Sequence, residues 1–123
     1  MKSRENLVRL KQFQVNEKRR QLLQLDMMMA DFERMASELD VQIQAEERKA
    51  GITDVNHFAY PTFAKAARQR RDNLQASQAG LAAQREEAEA AVQEAEAELT
   101  RAEMLENRDH KARDSDVVHA RAG

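Results

Sequence analysis

The sequence predicts an all-α protein, a long two-helix antiparallel coiled-coil hairpin. Three observations carry that prediction: a composition rich in helix formers, an apolar heptad seam in each half, and charge blocks of alternating sign. The chain has 123 residues, with 20 Lys+Arg against 22 Asp+Glu, a net charge of −2 and an aromatic content of only 4%. One domain is the expectation for this length. Five aromatic residues cannot seed a sizeable core, so a compact enzyme with a dry, shaped pocket is disfavoured. Ala, Glu, Gln, Arg, Leu and Met dominate, and all favour helix. There is no Cys, hence no disulfide scaffold and no thiolate metal site.

The first helix is placed at 4–50. Ser3 and Glu5 suit its start, and Arg48-Lys49 followed by Gly51 is a stop signal. Stepping by seven from Val8 gives Val15, Leu22, Met29, Ala36, Ile43 and Ala50, all apolar. The interleaved series is Arg4, Lys11, Lys18, Leu25, Phe32, Leu39 and Glu46, so 10 of 14 seam positions are apolar. Residues 51–61 break the helical text and form the bend; Asp54 can cap a short turn there, and Pro61 suits the first turn of a second helix.

The second helix is placed at 62–110. Its seam runs through Tyr60, Ala67, Leu74, Leu81, Ala88, Ala95 and Ala102, interleaved with Ala64, Arg71, Gln78, Arg85, Val92, Leu99 and Glu106. Bulky side chains on the first helix opposite Ala on the second allow close approach. Each helix is roughly 70 Å long at 1.5 Å per residue. The final segment, 111–123, loses the seam and is expected to be a flexible tail.

Charge selects the topology. Net charges are +5 over residues 1–20, −4 over 21–50, +4 over 62–85 and −7 over 86–110. An antiparallel hairpin sets the first block beside the fourth and the second beside the third, so both pairings attract. A parallel in-register dimer sets like beside like. The same fold-back brings Phe32 near Gly80, which either makes room for the Phe32 ring or is a tolerated helix defect.

Candidate chemistry is sparse. Asp54-x-x-His57 has ligand spacing but no third ligand nearby, and His110 and His119 stand apart from it; no metal set, cofactor or catalytic residue is expected. The carboxylates Glu86, Glu87 and Glu89 read as a solvated face, and there is no phosphate loop or nucleophile motif. Lys18-Arg19-Arg20 and Arg68-x-Arg70-Arg71 fit electrostatic register against an acidic neighbour, protein docking, or nucleic acid; no aromatics interleave with them for base stacking. Phe58, Tyr60 and Phe63 gather at the bend, either closing it against Ile52 and Val55 or standing out as a partner anchor. In the Met27-Met28-Met29 run, only Met29 is a seam residue. The longest bulky apolar stretch ends at Ala30 after those three Met, too short to span a bilayer, and no apolar run follows Lys2 and Arg4; a cytoplasmic protein is the expectation.

The opening Leu7-x-x-Leu10-Lys11-x-Phe13-x-Val15-x-x-Lys18-Arg19-Arg20, the later Leu105-Glu106-x-Arg108 and the stretch GITDVNHFAYPTFAKAARQRRDNL at 51–74 together resemble the FliJ family of flagellar type III export proteins. The 51–74 stretch is the most distinctive and is similar to the version in the rhizobial branch. The resemblance covers about residues 1–110. It implies a non-enzymatic stalk at the pore of a hexameric export ATPase, reaching the membrane-embedded export gate and handling export chaperones at the flagellar basal body. It further implies that the helix ends, with Lys11, Lys18, Arg19, Arg20, Leu105 and Arg108, engage the ATPase. Phe58, Tyr60, Phe63, Arg70, Arg71 and Leu74 would then face the gate's cytoplasmic domain. The helix-1 Gln content and the Ala-rich second helix depart from the commoner Glu/Lys-rich pattern of that family. A generic coiled-coil adaptor and a nucleic-acid-binding helical hairpin are the alternatives.

Overall fold

In a computed structural model, the backbone is described for residues 2–122 and the side chains for residues 2–116. The chain is an all-α helical hairpin of α1, Lys2–Ala50, and α2, Thr62–Ala122, which pack against each other. Two compact units divide it: Met1–Leu23 with Glu87–Gly123, and Gln24–Glu86. Each unit therefore takes one segment from each helix.

The heptad seam is the core. In the first unit the buried apolar residues are Val15, Val92, Ala95 and Ala102; in the second they are Ala36, Ile43, Tyr60, Ala64, Ala67 and Leu81. Every one is a seam position. Of the 28 seam positions counted in the sequence, only Ala50, the last residue of α1, is exposed. The charged members Arg4, Lys11, Lys18, Glu46, Arg71, Arg85 and Glu106 are half-buried, as long side chains are when the stem covers apolar surface and the head reaches water.

Ionic pairs between the helices follow the charge blocks. In the first unit, cations of α1 meet acids of α2: Arg4 with Asp109 at 3.0 Å, Lys11 with Glu98 at 3.0 Å and Arg19 with Glu96 at 3.1 Å. In the second unit the sense inverts. Asp26 pairs with Arg85, Asp40 with Arg71 at 2.8 Å and Glu47 with Arg68 at 3.6 Å. Numbering on α2 falls as numbering on α1 rises within each unit, which is the antiparallel register. Each such pair is worth only about 0–1 kcal/mol. Burial of the seam supplies the bulk of the stability, and the ions choose the direction.

The junction between the helices has local causes. Gly51 has φ +68°, a left-handed conformation that suits glycine. Its N–H and that of Ile52 both donate to the Glu47 carbonyl, at 2.9 and 3.3 Å, closing α1 in a Schellman-type cap. Asp54 then makes a turn: its carboxylate accepts from the Asn56 N–H at 3.0 Å and its carbonyl from the His57 N–H at 3.1 Å. Pro61 sits immediately before α2, and its carbonyl accepts the first helical bond, from Lys65 at 3.1 Å.

Three expectations need adjustment. Helix α1 begins at Lys2, so Ser3 lies inside the first turn instead of capping it. Helix α2 does not stop at 110 but runs to Ala122. The seam ends near Glu106 as counted, yet nothing in 111–122 breaks a helix: there is no Pro or Gly there, and side chains 111–116 are exposed. For the side chains of 117–122 and for Gly123, the expectation of a flexible tail lies outside the described residues. The third concerns Gly80. It is exposed, and a Cβ there would meet nothing within 4 Å. It makes no room for Phe32, which is half-buried; the seam residue beside Gly80 on α2 is its buried neighbour Leu81.

Gly80→Ala is accordingly expected to stabilise the chain by about 0.5–1 kcal/mol, the helix-propensity gain with no steric cost. Urea denaturation followed by circular dichroism at 222 nm reads it; an unchanged or lower midpoint would show that the glycine is required. The ionic selection has its own check. Asp40→Arg or Arg71→Asp alone is expected to destabilise by about 0.5–1 kcal/mol, and the double exchange to recover most of that loss, measured as a double-mutant cycle.

Candidate functional site

The loop between the helices carries the aromatic cluster, and the structure divides its members. Tyr60 is buried, and its hydroxyl accepts a hydrogen bond from Arg68 Nε at 2.9 Å. That bond, rather than the weaker ion pair with Glu47, is the main influence holding the Arg68 guanidinium above its ordinary pKa. Tyr60 thus closes the loop onto the first turns of α2, with Ile52 and Val55 half-buried beside the bend. Phe58 does the opposite. It is 96% exposed. Its ring stacks on His57 with centroids 4.7 Å apart, and the His57 Nδ1 in turn accepts the Ala59 N–H at 3.0 Å. Phe63, one residue into α2, is also exposed. Bend closure and outward display therefore belong to different rings.

In Asp54-x-x-His57, one carboxylate oxygen of Asp54 and the Nδ1 of His57 each accept a backbone N–H and so serve the turn.

The basic residues divide as well. Arg71 is half-buried and bonded to Asp40 at 2.8 Å and Asp72 at 3.1 Å; the Asp40 hydrogen bond is the leading cause of its raised pKa. Arg70, its neighbour, is exposed and has no ion-pair partner among the described residues. Leu74 is half-buried beside Arg70 in a shallow depression that also includes Met35 and Leu39. At the helix ends, Lys11 and Arg19 are engaged by Glu98 and Glu96. Arg20 is bonded to Glu17 at 2.9 Å within α1, a bond that lowers the Glu17 carboxyl below its ordinary value. Lys18 has no ion-pair partner among the described residues and borders a groove of about 450 Å³ floored by Ala91 and Ala95, with Phe13 on its rim. Arg108, likewise without an ion-pair partner among the described residues, flanks half-buried Leu105 and exposed Met104.

Lys11, Arg19, Arg20 and Arg71 are thus committed to contacts within the chain. Lys18, Arg70 and Arg108 hold their charge outward, next to Phe13, Leu74 and Met104 respectively. Among the described residues no charged side chain is buried, and in each shifted group a side-chain hydrogen bond to a neighbour outweighs the opposing effect of desolvation.

Met27 and Met28, placed off the seam by the sequence, are exposed in the second unit, and sequence reasoning passed over further outward apolar residues: Leu10, Phe13 and Leu23 in the first unit and Val41 in the second. Their signal was present by subtraction: each is a bulky apolar residue off the heptad count, where a purely structural helix would carry polar groups. No helix among the described residues is long and apolar enough to cross a membrane. The chain matches no family model, no curated protein and no solved structure.

Proposed function

We propose that the chain is a non-enzymatic stalk and chaperone-handling component of a flagellar type III export apparatus. In this reading it works in the cytoplasm at the membrane-associated basal body. The helix-end surface of the first unit engages the export ATPase hexamer, and the loop surface of the second engages the cytoplasmic domain of the export gate. The resemblance of residues 51–74 to the FliJ family motivates the assignment, and the nearly complete exposure of Phe58 is the observation that supports it most. An aromatic ring left in water by a loop that buries its neighbour Tyr60 has no role in holding the fold. Aromatic and Arg side chains dominate the energetics of protein interfaces.

The mechanism asked of such a stalk is differential binding. A hairpin that contacts subunits of a ring unequally favours one conformational state over another by the difference in contact energy, with no chemistry of its own. Lys18 and Arg108 carry charge outward beside apolar side chains in the first unit, and Arg70 does so in the second. Those are the positions where a partner's carboxylates would be met.

Phe58→Ser is expected to leave the urea midpoint of the isolated chain unchanged within about 0.5 kcal/mol, because an exposed site contributes little to stability. It is expected to reduce retention of the purified gate domain at least about tenfold, the loss of a hot-spot side chain. Retention of the export ATPase stays as in the parent chain. A parent chain that co-purifies with neither ATPase nor gate would replace the stalk with a general coiled-coil adaptor.

A further inference from the structure

Glu5, Glu106 and His110 come together in the first unit from the start of α1 and the later part of α2. One ligand atom from each lies within 4.8 Å of the other two. Glu106 and His110 are one helical turn apart, with Nε2 and Oε1 at 3.6 Å. Glu5 and Glu106 are half-buried. The neighbouring cation, Arg4, is bonded to Asp109 at 3.0 Å and not to Glu5. Glu5 itself has no hydrogen-bond or ion-pair partner among the described residues.

Two carboxylates held this close, with no Lys or Arg bonded to either among the described residues, repel one another and favour a cation between them. The imidazole beside them identifies its kind. A carboxylate cluster alone suits Ca²⁺ or Mg²⁺, whereas an added imidazole nitrogen favours a first-row transition ion. The spacing Glu106-x-x-x-His110 puts two donors on one face of α2, and α1 delivers the third across the seam. Ligand bonds of about 2.0–2.2 Å bring donor atoms within about 3.5 Å of one another, so small side-chain rotations from the present positions suffice.

We propose that Glu5, Glu106 and His110 form a binding site for a divalent first-row cation of the Zn²⁺ type, with water completing the coordination. The sequence reading expected no metal set. The site joins the first turns of α1 to α2 beyond the last fully buried seam residue, Ala102, where the apolar side chains are at most half-buried. Its consequence is a metal-dependent staple of that end of the first unit, independent of the proposed export role.

The test uses the untagged full chain stripped with chelator. Zn²⁺ is titrated against a chromophoric chelator, and thermal melts are recorded with and without excess Zn²⁺ and, separately, Mg²⁺. One equivalent of Zn²⁺ is expected to bind and to raise the melting temperature, while Mg²⁺ at the same concentration does not. His110→Ala and Glu5→Gln are each expected to weaken binding at least about tenfold and to abolish the shift. His57→Ala leaves both unchanged. Both variants alter residues that seam burial does not require, so their metal-free melts report that they fold. Absence of Zn²⁺ binding by the parent chain, or binding that survives His110→Ala and Glu5→Gln, would overturn the site.

Discussion

The whole architecture depends on complementary ionic blocks laid along a narrow apolar seam. The seam alone does not determine a hairpin. A row of Val, Leu, Ile and Ala at heptad spacing serves a parallel dimer or an antiparallel pair equally well. The decision comes from the sign alternation. It is visible in the structure as an inversion between units: α1 supplies the cations at Arg4, Lys11 and Arg19, and the acids at Asp26, Asp40 and Glu47. Such pairs contribute little singly, but an alternative pairing forfeits all of them together and adds repulsion. The seam provides affinity without direction, and the ions provide direction with little affinity.

That division of labour explains where exposed apolar residues can be tolerated. Half of the buried residues are alanine: Ala36, Ala64, Ala67, Ala95 and Ala102 allow the backbones to approach, while larger residues such as Ile43 and Val15 fill the seam. A core so thin leaves most of each helix circumference in water. Most of that surface is charged or polar, which makes the apolar departures informative. Phe58, Phe63, Met104 and the outer residues of α1 interrupt an otherwise polar surface. Lys18 and Arg108, without ion-pair partners among the described residues, lie beside Phe13 and Met104. On the proposed stalk reading, recognition would run through that surface, which the regular helices position.

Much of the fold was legible because its determinants are periodic or local. Seven-residue stepping found the buried positions, including Tyr60 just ahead of α2 and the half-buried Arg71 and Glu106. Gly51 after Arg48-Lys49 marked the helix stop because only a left-handed residue accepts that cap geometry. The misreadings have equally physical sources. Of the two readings of Gly80, the packing role suggested by its level along the hairpin fails, because Gly80 is exposed beside the buried seam residue Leu81 and a Cβ there would meet nothing within 4 Å. The end of α2 is expected where the seam stops, although a helix already formed continues through 111–122, which hold no Pro or Gly to break it. At the candidate site, clustering of Phe58, Tyr60 and Phe63 was evident, but which ring turns inward depends on Arg68 reaching the Tyr60 hydroxyl, a contact eight residues along the chain. The meeting of Glu5 with Glu106 and His110 was hidden for a similar reason. It needs the register of the two helices at their ends, and only the i,i+4 half of it is written in the sequence.

Because the chain has no cysteine, the register has a direct probe. Nitroxide labels on cysteines placed at Lys11 and Glu98 report, by electron paramagnetic resonance, whether these segments of α1 and α2 adjoin within one molecule. Antiparallel pairing predicts strong dipolar broadening, as for helices packed about 8–10 Å apart, unchanged on dilution with unlabelled protein. Broadening that vanishes on dilution, or that is absent from the start, would contradict the fold-back and the ionic selection built on it.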